Sequence, residues 1–186
     1  MCRMIPEIVS EIQRHGIRVE LRSPVSLDED LGRISASTIE VIIDPVETIT
    51  AFTLCHLFGH MIQFTSLDRY RHLIEAVSPT PPVSLSPEFW RQFYAYEREA
   101  FGYGECLLEQ TALADSELRS QYANFMELDF EHFRSYVSTG KRLNRRQYRG
   151  SLLKRYRSNP STAPIESRSL ARVEWWKLAK VEARIY

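Results

Sequence analysis

The residues from Val46 to Phe64 contain no proline, a single glycine at Gly59, and a large excess of apolar side chains. A stretch of this length without a breaker forms a helix, and one this apolar has to be buried. The rest of the chain must therefore wrap it. With 186 residues, 44% of them hydrophobic, there is material for one core around such a helix and too little for two ordinary domains.

The flanking segments supply that cover. Ile5, Ile8, Val9 and Ile12 recur at helical spacing before Gly16, which predicts an amphipathic helix over residues 3–15. Ile17-Arg18-Val19-Glu20-Leu21 alternates as a half-buried strand does. Further strands are expected at residues 33–36 and 38–44, so a small antiparallel or mixed sheet precedes the apolar helix. Residues 78–87 hold four prolines and must be an extended loop. Pro87 then opens an aromatic-rich helix over 88–110, with further helices near 115–138 and 142–157. A break at 158–164 leads to a terminal segment, 166–185, containing Trp175 and Trp176. The expected fold class is α+β, mostly helical, with a small N-terminal sheet in a core over 1–110 and a helical, basic extension over 111–186 packed on it.

His56 and His60 stand four residues apart on the apolar helix, in Thr53-Leu54-Cys55-His56-Leu57-Phe58-Gly59-His60-Met61-Ile62-Gln63. At 3.6 residues per turn, that spacing stacks both imidazoles on one face, where they can share a metal ion. Spacing alone does not separate a ligand pair from two packed or surface histidines. About 40 residues on comes an acid-rich stretch of the next long helix, Tyr96-Glu97-Arg98-Glu99-Ala100-Phe101-Gly102-Tyr103-Gly104-Glu105-Cys106-Leu107-Leu108.

These two segments resemble the motifs of the ImmA/IrrE group of zincin-like metallopeptidases. Residues 52–63 are similar to that family's active-site helix. Residues 97–108 are similar to its second motif, a Glu-Ala pair followed by an aromatic and two leucines. The resemblance implies a zincin-like fold with His56, His60 and Glu99 as ligands of Zn²⁺ or another divalent metal, and water in the fourth position. It also implies a loss: the glutamate of HExxH, which takes a proton from metal-bound water, is here Leu57. Phe101 and Glu109-Gln110 depart from the family's pattern as well. On the same helix faces, Gln63 could contact metal-bound water or bond near the helix end, and Tyr103 could donate to an oxyanion or pack in the core. Glu97 lies about 200° around the helix from Glu99, so both cannot face one metal without distortion. The family match selects Glu99. Cys55 is expected in the core, and His15, His72 and His132 lack partners at useful spacing.

The resulting expectation is a metal-binding, non-proteolytic or impaired peptidase relative whose groove holds a helix-turn-helix regulator or another protein. The alternatives are a metalloenzyme of changed reaction, with Tyr103, Glu97 or Glu105 moving the proton, and a metal-free interaction module. Net charge is zero, but residues 133–186 carry 14 Lys/Arg against 3 Asp/Glu, leaving the rest acidic. A basic helix lying on its own acidic body accounts for this without nucleic acid. Three cysteines form no disulfide framework, and charges at Arg3, Glu7, Glu11 and Arg14 interrupt the first segment. A cytoplasmic protein is expected, without a leader or a membrane span.

Overall fold

The computed structural model describes residues 4–26, 30–35, 37–111, 115–158, 165–171 and 173, with Leu67 described by its backbone alone. Cys2, Trp175, Trp176 and most of the terminal segment 166–185 lie outside the described residues. The elements are α1 (Met4–Arg14), β1 (Arg18–Arg22), β2 (Gly32–Ser35), β3 (Thr38–Ile42), α2 (Glu47–Gln63), α3 (Leu67–Val77), α4 (Pro87–Gln110), α5 (Ser116–Thr139) and α6 (Arg145–Ser158). The protein is thus α+β and mostly helical. The sheet is mixed, ordered β1-β3-β2, with β1 parallel and β2 antiparallel to β3. Among the described residues, no helix is long and apolar enough to cross a membrane. α3 has no counterpart among the expected elements.

α2 is the hub. Fourteen of its residues are buried, from Ile49 through Gln63 with Leu57 excepted, because α1, the sheet, α4 and α5 each cover part of its circumference. Its entry is held by Asp44, whose backbone N–H donates to Thr50 Oγ1 (2.8 Å) and whose carboxylate accepts from the Val46 N–H (2.8 Å). Arg149 of α6 covers that nearly inaccessible carboxylate at 2.8 Å. Arg142 pairs with Asp30 and Arg155 with Glu131, so the basic helical end meets acidic groups elsewhere in the chain. Tyr122 and Phe125 of α5 and Tyr148 and Leu152 of α6 belong to the same hydrophobic cluster as α1, β3 and α2.

The contact between α2 and α4 fixes what the two helices can present to each other. A Cβ on Gly59 would lie on the carbonyl of Ala100 and 2.8 Å from its Cα, and one on Gly104 would sit 2.6 Å from the Cys55 carbonyl oxygen. The helices therefore touch backbone to backbone along Cys55–Gly59 and Ala100–Gly104. α4 begins cleanly, with Ser86 accepting from the Phe89 N–H and Pro87 in the first turn. A second aromatic cluster, including Tyr70, Leu73, Trp90, Phe93 and Tyr96, ties α3 to α4.

Candidate metal centre

His56 and His60 face α4, and both point at a single oxygen. The Nε2 of His56 lies 3.0 Å from Glu97 Oε2, and the Nε2 of His60 lies 3.3 Å from the same atom. One donor atom from each of His56, His60 and Glu97 lies within 4.8 Å of the other two. Donors about 2.0–2.1 Å from a tetrahedral zinc are about 3.3 Å apart, so two of these separations already have the spacing of a ligand set.

Glu97 takes the place expected for Glu99, and the α2–α4 contact is the reason. Glu97 precedes Ala100 by three residues and shares its side of α4. Glu99, about 100° from Ala100 and about 200° from Glu97, is carried towards α3. There its carboxylate accepts from Tyr70 and from Arg69 Nη1 (3.2 Å), so it is spoken for. The two carboxylates face different partners, as the angular argument requires.

Each imidazole is held from behind. Gln63 donates its amide N–H to the Tyr96 carbonyl (2.8 Å), which turns its oxygen toward His60 Nδ1 (2.9 Å). Nδ1 of His60 therefore carries a proton, assigned from the network, and Nε2 faces Glu97, where it donates when His60 is charged and would turn its lone pair to a metal once that proton is displaced. The Nδ1 of His56 faces Asp129 Oδ2 at 3.5 Å, and Asp129 also accepts from the Tyr148 hydroxyl (3.1 Å). The Phe101 ring stacks on His56 with centroids 4.0 Å apart. A carboxylate or amide behind each ligating histidine is the arrangement that orients imidazoles in metal sites. Gln63 is thus a positioning group for His60.

The charges respond to this geometry. Burial opposes ionisation of Glu97, but the His60 charge and the hydrogen bonds from His56 and His60 outweigh it and hold the carboxyl at about 2. Burial likewise opposes the His60 cation, and Glu97 and Gln63 more than offset it, raising its pKa. Burial raises Asp129, against the pull of His56. The Glu97 carboxylate thus stays ionised between the two imidazoles, and the positive charge it answers in this structure is that of His60.

The centre opens on a cavity of about 240 Å³. Its walls include Leu57, Phe93, Phe125, Phe130, Phe133 and Tyr136, and its polar margin includes Asp129, His132 and Arg145. Leu57 is the half-buried exception on α2, and it occupies space left by Gly32 on the edge strand β2. Tyr103 and Glu105 do not line the cavity; Tyr103 is influenced by Glu99, Arg168 and Arg69 instead. His132, expected to be unremarkable, borders the cavity and accepts the Leu143 N–H at 2.8 Å. Asp129, His132 and Arg145 come from α5 and α6, far along the chain, and no spacing motif links them to α2. Compared with family models, curated proteins and solved structures, the chain matches none of them.

Proposed function

We propose that this protein binds one divalent metal, zinc first, through His56, His60 and Glu97, and that it does so without acting as a peptidase. The observation that carries the reading is the convergence of two Nε2 atoms on one carboxylate oxygen, with Gln63 and Asp129 holding the opposite nitrogens. Two imidazoles and a carboxylate suit the borderline character of zinc. When bound, the metal would supply Lewis acidity and an acidified water. The chain's own residues offer that water little help. Leu57 stands where HExxH carries its general base and can neither accept nor deliver a proton.

The ImmA/IrrE reading is kept as a proposal, on the His-Leu-Phe-Gly-His helix and the small sheet before it. The third ligand comes two residues earlier than the Glu-Ala motif puts it, and this separates the chain from the family pattern. By the same analogy the cavity would hold a segment of a protein partner, a helix-turn-helix regulator being the family's precedent. Free Cys55 and Cys106 are consistent with a reducing, cytoplasmic setting. Of the groups that the divergent-enzyme alternative relies on, Tyr103 and Glu105 do not line the cavity and Glu97 does; Asp129 and His132, also at the cavity, would take the proton-transfer role in their place.

The test restores the missing base. Zinc-loaded native protein and Leu57→Glu are incubated with an unstructured peptide and a helix-turn-helix repressor, with melting curves on both proteins. Native protein is expected to be inert, and Leu57→Glu to gain cleavage that a chelator removes. Metal-dependent cleavage by the native protein, lost in His60→Ala, would overturn the non-proteolytic reading in favour of a changed enzyme.

A further inference from the structure

Arg145 is the first residue of α6, it lines the cavity, and only 6% of its surface is accessible. Its Nε and Nη1 are buried without a hydrogen-bond partner. Every other charged group lining the cavity among the described residues has a partner. Arg142 pairs with Asp30, Arg33 with Glu40, Glu97 with the two histidines, and Asp129 with His56 and Tyr148. A guanidinium is always charged, and burying one without a counter-ion is strongly unfavourable. The fold nevertheless holds it there: Tyr148, one turn later on α6, and Leu152, two turns later, are anchored in the core.

We propose that Arg145 binds an oxyanion, a carboxylate or a phosphate, carried on a small apolar or aromatic body that fills the cavity. A planar guanidinium carries paired N–H donors that match both oxyanions and little else, and a small shift of the Arg145 side chain would bring its buried Nε and Nη1 to a ligand in the cavity that the residue lines. The aromatic and aliphatic walls set the rest of the molecule, as in small-molecule sites where a few polar groups orient an apolar ligand. At about 240 Å³ the cavity lies just under the ~300 Å³ where such sites begin, so the ligand is small. The proposal goes beyond the metal reading and does not depend on it, because Arg145 has its own unmet demand for an anion. With metal present, the ligand would share the cavity with that centre and be a substrate or a competitor of one.

The experiment titrates benzoate and phenyl phosphate, with benzamide as the neutral control, into full-length protein, both chelator-stripped and zinc-loaded. Affinity is read by calorimetry or ligand-observed NMR. Benzoate or phenyl phosphate should bind the stripped native protein and raise its melting temperature, while benzamide does neither. Arg145→Gln should weaken the binding about 10- to 100-fold, the usual scale of a charge-assisted pair, and Arg145→Lys should lose less. Preference for one probe identifies the oxyanion. Equal affinity in native protein and Arg145→Gln, or no binding of either anion to the native protein at millimolar concentration, overturns the proposal, and melting curves of both variants guard against misfolding. Binding that appears only with zinc and ignores Arg145 also overturns it while leaving the metal reading intact. Arg145-dependent binding in a protein that takes up no zinc does the reverse.

Discussion

Glu105 lies on α4 on the side away from the cavity, with only 3% of its side chain exposed and its Oε2 without a partner. The nearest cation, Arg119, is 3.5 Å away and makes its closer contact, 2.8 Å, with Glu109. Burial outweighs Arg119, with Glu109 adding to it, and the carboxyl rises from 4.5 to about 7. The folded protein therefore keeps a proton between those values that the unfolded chain releases. Stability from this group is fully present below pH 4.5 and is lost as pH rises through 7. At about 1.4 kcal/mol per pH unit, the loss is about 3 kcal/mol. Glu105→Gln keeps the shape and removes the titration. Urea unfolding of both proteins at pH 4.5, 6, 7 and 8 should show the variant gaining about 3 kcal/mol on native protein across the series. The His56–His60–Glu97 cluster and other titrating groups are common to both and cancel in the difference. Parallel stability curves for the two proteins would refute the argument, because they would mean that Glu105 reaches water or a cation.

The helix contact makes an opposite prediction to helix propensity. Gly→Ala in an exposed helix interior gains about 1 kcal/mol, but at Gly59 the added Cβ meets the Ala100 backbone, which cannot rotate away. Gly59→Ala should cost about 3 kcal/mol or more in a denaturant melt, and a rise in stability would show that α2 and α4 are not in backbone contact. Under the proposed metal reading, Gln63 would act on the metal through its hydrogen bond with His60. Gln63→Ala should lower zinc affinity about 10- to 100-fold against a chromophoric chelator, and unchanged affinity would remove it from the site.

What could be read from the chain was what local spacing encodes. The His56–His60 pair lies within one turn of one helix, so a 3.6-residue period is enough to bring the rings together. The apolar run to either side is sufficient to bury that helix, and the prolines at 78–87 separate it from α4. The third ligand was a different kind of question. Choosing between Glu97 and Glu99 depends on how α4 is rotated, and that rotation is set by the meeting of Gly59 with Ala100 across two helices. The surroundings of Glu99 depend in turn on α3. Its polar residues mask the apolar positions Tyr70, Leu73, Ile74 and Val77, whose helical spacing is present in the sequence. α3 supplies the Arg69 and Tyr70 that hold Glu99. Asp129, His132 and Arg145 reach the cavity only when α5 and α6 fold over α2. Residue type and neighbouring positions carry no trace of that closure.

Metal analysis of untagged protein tests the central assignment most directly. Native protein, Glu97→Gln and Glu99→Gln are purified without an affinity tag, exchanged into metal-free buffer and measured by inductively coupled plasma mass spectrometry. About one zinc, or one other divalent ion, per chain is expected in native protein and in Glu99→Gln, with little in Glu97→Gln, because among the described residues Glu97 is the carboxylate that shares the donor triangle with His56 and His60. A native protein with no stoichiometric metal after zinc reconstitution, or one whose metal survives Glu97→Gln and disappears in Glu99→Gln, would contradict the account.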